Sequence, residues 1–547
     1  MPSKDAIGIH DQTNLLPKRE LIVVFAALAF GLLVTFIDQN SIGVSLPTIG
    51  RELNCASTVE WAGTASLIAN TAFQVLYGRF SDIFGRKGMI LAMLGLLAVG
   101  DLLCGFAKTG PQLYAFRGIS GMANGGIMAL SMMIVSDVVT LQERGKYQGI
   151  LGTFVGSGNA VGPFIAAGFT QHTSWRDTFY LLSPLAVVAG FVLWWKLPPQ
   201  NMPKENFRVT LAKVDWAGII LSSFGTILVL IPVSGIGSQF KADSPMVISM
   251  LTLGGICLVA FVFVEWKLAK LPMIPLRLFK SIPLSAMLLQ NLFVGVVWYS
   301  ELYFLQIYYQ SARQLSLTIS AALLLPLVVA LAIFSTLSGQ YISRLNRYGE
   351  VLWAGFAVWT LTAGLHILFN RETSISTIAI ILFFEGASVG CVFQPTLVAA
   401  QAHSSKADRA VVISARNFIR SLGGAIGLAI SSAIFSNSLQ SHLPAHLPVS
   451  VTNAVHRSTF STPILTNLDD DTRNHVLDAY NAASRSVFIM WVAVIGLCLV
   501  LMLFVKDKGL QRQEEKDAEV QVEEGEVNDT LSEKNKDIAE VQLRDKT

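Results

Sequence analysis

The feature that most constrains this chain is a succession of long apolar runs separated by short polar connectors. The runs fall near 21–47, 58–80, 89–107, 112–138, 149–171, 178–197 and 215–235, then near 246–266, 283–311, 316–342, 350–369, 375–400, 409–436 and 486–505. Each approaches or exceeds the roughly 20 residues an α-helix needs to cross the hydrocarbon of a bilayer. Backbone groups in lipid must be satisfied within the segment, so such runs fold as helices. Composition agrees, since only 14% of the 547 residues are charged, against roughly 25% in soluble globular domains. The expectation is an all-α polytopic membrane protein with 14 transmembrane helices.

Charge orients it. Outside the last 42 residues, 20 Lys and Arg lie in connectors on the side of the termini, nine lie opposite, and Arg117, Arg416 and Arg420 fall inside runs. Cytoplasmic loops are enriched in these residues, which places both termini in the cytoplasm. Residues 506–547 carry 8 basic and 13 acidic residues and no aromatic ring. Such a segment cannot bury enough apolar surface to fold and is expected to be a disordered acidic cytoplasmic tail. Residues 1–20 form a polar cytoplasmic segment without the order of a cleaved signal, so targeting is assigned to the first run. The five cysteines lie far apart, mostly in apolar runs, and read as packing residues. A long outward loop, 437–485, contains His442, His446, His456 and His475 at spacings that match no metal site.

The connector Gly78–Lys87, GRFSDIFGRK, concentrates Arg79, Asp82, Arg86 and Lys87 in ten residues. A positive-inside loop explains the cations but not Asp82, Gly78 or Gly85. A weak echo, GQYISRLNRYG at Gly339–Gly349, follows the tenth run, with Ser343 where Asp82 stands. Parallel repeats of this kind are a known transporter architecture. Ionisable residues within spans are rare and functional by default. Asp38 is therefore a proton-coupling candidate, Glu301 could carry a coupling proton or bind a cationic substrate, Arg117 must face a cavity or a partner, and Asp101 and Glu385 are weaker candidates. Two readings fit Asp38: a carboxyl that changes protonation as its surroundings dry and wet, or a fixed partner for a buried cation. Arg416 and Arg420, four residues apart on one helix face, are expected to pair with such acids. Gly158, Gly162 and Pro163 mark a small-residue helix surface with a potential kink. Asn70, Gln74, Trp298, Tyr303, Gln394 and Asn417 are the substrate-cavity candidates, because apolar, aromatic cavities with few polar groups suit bulky organic molecules.

These motifs resemble those of the major facilitator superfamily, in particular its fourteen-span drug:proton antiporters and their fungal members. Gly78–Lys87 is similar to the superfamily loop signature at every polar position. Asp38 with Leu46-Pro47, Trp61 through Gln74, Trp175-Arg176 with Phe179 and Pro184, and Asp215–Gly218 resemble further family patterns. Arg117 resembles an arginine implicated in proton transfer, although Ser120 replaces the usual glutamine. Gly158, Gly162 and Pro163 resemble the antiporter signature, with Ala166-Ala167 in place of its final glycine pair. The resemblance implies two six-helix halves, 21–197 and 283–505, joined by a linker, 198–282, with two additional helices. It further implies proton-coupled efflux of small amphiphilic compounds (drugs, toxins or secondary metabolites) by alternating access, with Gly78, Asp82, Gly85, Arg86 and Lys87 as a conformational latch. The alternatives are transport of one metabolite or siderophore-like chelate, or a transporter-derived sensor. No Walker loop, GxSxG elbow or zinc spacing suggests an enzyme. The expected partners are a small-molecule substrate, protons and the lipid bilayer, with no nucleic acid, metal or other cofactor. A monomer is expected, in the plasma membrane in preference to the vacuolar membrane.

Overall fold

The computed structural model describes residues 16–55, 58–199, 214–235, 240, 244–269, 272–405, 408–443 and 469–510. The acidic tail beyond 510, most of the N-terminal segment, and parts of the 198–282 linker and the 437–485 loop lie outside the described residues, as do His446 and His456. The first group of helices is α1 (Lys18–Glu52), α2 (Trp61–Gln74), α3 (Leu76–Phe84), α4 (Arg86–Phe106), α5 (Gly110–Val138), α6 (Leu141–His172) and α7 (Arg176–Lys196). Next come α8 (Trp216–Gly235) and α9 (Pro245–Lys267). The last group is α10 (Ile282–Ile307), α11 (Leu317–Ala322), α12 (Leu325–Leu345), α13 (Gly349–His366), α14 (Ile375–Ala402), α15 (Arg409–His442) and α16 (Asp470–Leu501).

Among the described residues, 12 helices are long and apolar enough to cross a membrane. Two expected spans fall short of that description for different reasons. Run 58–80 is divided at Val75 into α2 and α3, and α13 is only 18 residues long, with Glu350 near its start and His366 at its end. Caps define several starts: Thr109, Thr140, Ser374 and Asp469 each accept a hydrogen bond from the backbone N–H three residues on, satisfying a donor the helix leaves orphaned. Pro163 does not break α6, which continues through it.

The two connectors that echo each other in sequence both turn through a residue with positive φ. Gly85 reverses the chain between α3 and α4 at φ +85°, and Asn346, the equivalent position of the echo, ends α12 at φ +55°. Only Gly, and to a lesser degree Asn or Asp, visits this left-handed region readily. The second connector has its own acid after all, although not from within the repeat. Asp507 Oδ2 accepts from the N–H groups of Tyr348 (3.0 Å) and Gly349 (2.8 Å) at the start of α13.

Apolar burial forms one large core within α10–α16 and another across α1 and α4–α7. Helices α8 and α9 stay peripheral, and α9 exposes Ile256, Val259, Phe263 and Trp266. That is the pattern expected of a lipid-facing helix. The two groups meet where α6 lies against α12. An added Cβ on Gly145 would stand 2.8 Å from the Gly339 carbonyl, and Thr153 donates to the Ala332 carbonyl at 2.8 Å.

Candidate functional site

In the first group, three helices bring their charged residues to one point. Arg117 Nη1 of α5 meets Asp38 Oδ1 of α1 at 2.5 Å, and both side chains are completely buried. Asn124 Nδ2 donates to the other Asp38 oxygen at 2.7 Å, and Arg117 Nε donates to the Ala62 carbonyl at 3.2 Å. Asp101 of α4 faces this pair, its carboxyl close enough to that of Asp38 for the two to interact. Of the two readings of Asp38, a buried ion pair is therefore present, and Asp101 supplies a second carboxyl beside it. Gly158 and Gly162 lie against α1 around the same level, where a Cβ would stand 3.0 Å from the carbonyls of Leu33 and Ile37. The glycines thus allow α6 to approach the helix that carries Asp38, and Asn159 is close enough to accept from Asn40 at 2.7 Å.

At one end of the bundle the latch candidates form a buried charge network. Asp82 pairs with Arg86 (2.8 Å) and Arg79 (3.6 Å). Arg86 continues to Asp137 at the end of α5 (2.9 Å), and Asp137 is held on its other oxygen by Arg409 of α15 (3.0 Å). Arg86–Asp137–Arg409 therefore ties the two helix groups together. Gly78 lies where α3 crosses α15, with space for a Cβ closed off by the Ala410 carbonyl at 3.1 Å. Lys87 is only half-buried and takes no part in an ion pair among the described residues. Sequence reading missed Asp137 and Arg409, each sited at a helix end where a lone charge draws no notice.

The cavity candidates divide. Gln74 accepts from Ser421 of α15 at 3.1 Å, Asn417 of α15 directs its amide to Met132 of α5, and Gln394 lies against Gly152 of α6. These three stand at the contact between the two groups, with Asn70 packed against Gly125 nearby. Trp298 meets Phe393 edge-to-face at 5.2 Å. All five are at most 8% exposed, so they form a closed interface rather than an open cavity in this conformation. Tyr303 is different: it is 45% exposed and within electrostatic reach of Glu60.

The expected pairing of Arg416 and Arg420 with intramembrane acids does not occur. Arg416 donates to the Phe393 carbonyl, to Thr396 Oγ1 (3.0 Å) and to Asn417 Oδ1 (3.1 Å), while its Nε has no partner. The Arg420 guanidinium lies 4.9 Å over the Phe393 ring. Among the described residues neither arginine has a carboxylate partner. They stand ~10 and ~17 Å along the α15 axis from Arg409, at 1.5 Å per residue.

The acids are engaged elsewhere. Glu301 of α10 and Glu385 of α14 converge on His366, the last residue of α13, which sequence reading passed over as a helix end. All three are completely buried, and their ligand-type atoms lie within 4.8 Å of one another. The imidazole directs Nε2 to Glu385 (3.3 Å) and Nδ1 to Glu301 (3.9 Å), so the two carboxyls face different ring nitrogens rather than one common point. Glu301 therefore belongs to this buried cluster and does not open onto the interface beside Trp298 and Tyr299.

The Major Facilitator Superfamily profile matches residues 28–428. The chain is 46% identical over 545 residues to Citrate exporter 1 of Yarrowia lipolytica, covering 100% of this chain and 80% of that one. It is 38% identical to the MFS-type transporter clz4 of Cochliobolus lunatus, covering 93% and 90%. Its fold resembles the proton:xylose symporter XylE at a TM-score of 0.60 and 13% identity, over 92% of this chain and 99% of that one. Relatives and fold are those of transporters rather than enzymes, and the chain belongs to the Major Facilitator Superfamily.

Proposed function

We propose that this protein exports a small organic anion, of the di- or tricarboxylate class, in exchange for protons. The observation that carries the reading is Arg416 with Arg420: two buried guanidinium groups beside the contact of the two halves, without a carboxylate partner. A buried cation without a counter-charge is costly, and an anionic substrate supplies one. Bidentate recognition of carboxylates is what arginine does best. The 46% identity to a citrate exporter favours the same class. Asp38 with Arg117 serves as the coupling site. The fourteen-span count, with α2–α3 as a span broken at Val75 and α13 as a short one, both termini in the cytoplasm and a plasma-membrane location belong to the same proposal, as does membership of the drug:proton antiporter branch. In that orientation the Asp82–Asp137–Arg409 network closes the cytoplasmic end.

The second reading is export of amphiphilic compounds, favoured by the Trp298–Phe393 pair beside the same arginines. Counterflow of radiolabelled citrate in proteoliposomes distinguishes them. Wild type should exchange citrate, and Arg416→Gln and Arg420→Gln should each lower the rate at least tenfold. Uptake of an amphiphilic dye with no citrate exchange would replace the first reading by the second.

A further inference from the structure

The two helix groups each bury one ionisable cluster, and the clusters occupy corresponding helices. If the connectors Gly78–Lys87 and Gly339–Gly349 are equivalent, α1, α4 and α5 correspond to α10, α13 and α14. Asp38, Asp101 and Arg117 come from the first set, and Glu301, His366 and Glu385 from the second. Their charge differs. The first cluster contains its own permanent cation, Arg117, locked to Asp38 at 2.5 Å. The second has two carboxyls and an imidazole, with no arginine or lysine within ion-pair distance among the described residues.

That difference dictates what each can do. Two ionised carboxylates beside a neutral imidazole would bury two negative charges, at several kcal/mol per ion, and would repel each other at this separation. The cluster is neutral only when it holds protons of its own. Among the described residues, no carboxyl oxygen of Glu301 or Glu385 and neither ring nitrogen of His366 makes a hydrogen bond of good geometry, although the two carboxyls and the Trp359 indole N–H lie close enough to act on one another. The buried Tyr309 hydroxyl, with no well-formed hydrogen bond among the described residues, also lies beside the two carboxyls. Tyr309 is carried by a π-helical turn, Tyr308–Ala312, that ends α10; such turns recur at functional sites. The surrounding groups are Tyr309, with Arg313 beyond it, from the end of α10, Trp359 from α13, and the rings of Phe488 and Trp491 from α16. Phe393, which touches both Trp359 and Arg420, separates the cluster from the proposed anion site by one aromatic layer.

We propose that Glu301, His366 and Glu385 form a second proton-carrying site, in the C-terminal half, that loads and releases protons during transport. The imidazole stands between the two carboxyls, with Nε2 3.3 Å from Glu385 and Nδ1 3.9 Å from Glu301, so a small closure of these gaps lets a proton taken up at one carboxyl be matched by release at the other through the ring. One atom from each residue also lies within 4.8 Å of the others, so the test must separate a proton relay from a metal site. The inference rests on the proposal that export is proton-coupled.

The test uses the full chain in proteoliposomes, with citrate counterflow and ΔpH-driven citrate flux measured side by side. Glu301→Gln and Glu385→Gln should retain counterflow within about twofold, which reports folding and substrate binding, while losing at least tenfold of the ΔpH-driven flux. Where a variant fails to fold, wild type is labelled with dicyclohexylcarbodiimide, which reacts with buried protonated carboxyls. Modification of Glu301 or Glu385, read by peptide mass spectrometry, should fall as pH rises from 5 to 9. Normal ΔpH-driven flux in both variants, or no labelling of either residue across that range, overturns the proposal. So does one equivalent of zinc or manganese co-purifying with wild type and lost from Glu385→Gln, which would make this a metal site. If wild-type flux ignores ΔpH while carbodiimide labelling still tracks pH, the coupled-export reading fails and proton binding at the cluster stands.

Discussion

Asp137 carries the charge that joins the two helix groups at the end where the latch candidates lie, beside the uncharged Ser136–Gln401 bridge, and Asp137→Asn isolates that charge. Asparagine keeps the volume and one acceptor oxygen but removes the charge shared by Arg86 Nε at 2.9 Å and Arg409 Nη1 at 3.0 Å. The two arginines are not affected equally. Arg86 retains Asp82 at 2.8 Å, whereas Arg409 retains only the Ser136 carbonyl at 2.9 Å, and its Nε has no partner. Removing one partner of a buried ion pair costs about 3–5 kcal/mol. The lower end applies, because one cation keeps a second carboxylate. About 3 kcal/mol then falls on the closed state alone, since separation of the halves returns Arg409 to water. At about 1.4 kcal/mol per decade, the closed-to-open ratio drops roughly a hundredfold. Asp82→Asn should be milder, because Arg86 still has Asp137. The assay is double electron–electron resonance between spin labels on exposed Phe84→Cys and Ser405→Cys, one on each side of the network, in an otherwise cysteine-free chain. The distance distribution should move to a longer component in Asp137→Asn and barely change in Asp82→Asn. An unaltered distribution in Asp137→Asn, at normal thermal stability, would refute the view that this bridge closes the end.

Two further outcomes are expected. Asp38→Asn leaves Arg117 buried without its 2.5 Å partner, so melting temperature and ΔpH-driven flux should both fall, the flux at least tenfold; adding Arg117→Gln should recover the melting temperature but not the flux, and recovery of both would reduce the pair to a structural role. His403, between Tyr348 Oη at 2.8 Å and the Lys506 carbonyl at 3.1 Å, is held below the ordinary imidazole range by burial. A group depressed in this way keeps fewer protons folded than unfolded, so its contribution is present above about pH 6.5 and is lost as pH falls. Melting temperature measured from pH 7.5 to 5 should therefore decline, and His403→Gln should flatten that slope; an identical slope in the variant would exclude this residue.

What could be read from the sequence was what is local. Runs of apolar residues gave the helices, because the bilayer length and backbone satisfaction leave no other solution. Gly78–Lys87 was recognisable because Asp82, Arg86 and Gly85 do their work within one turn of each other, down to the positive φ of Gly85. The breaks were not readable. Val75, where α2 gives way to α3, is an ordinary apolar residue, and only packing against α9 and α15 singles it out.

Pairing inside the membrane was legible least of all, and it decides the function. The sequence places several acids and three arginines within apolar runs, and any acid could partner any arginine. Helix periodicity says which residues share a face but not which face meets which. His366 drew no notice within the run 350–369, and its complete burial depends on the Phe369 ring and on Phe488 and Trp491 arriving from α16. Once it is inside, Glu301 and Glu385 turn to it and away from α15. Asp38 is already taken by Arg117, and Asp137 by Arg86 and Arg409. Arg416 and Arg420 are left without a carboxylate because the fold has spent each nearby acid on another partner. A single unforeseen histidine thus underlies both halves of the proposal: it gathers the carboxyls into the proposed proton site, and it draws them away from the arginines proposed to meet an anion.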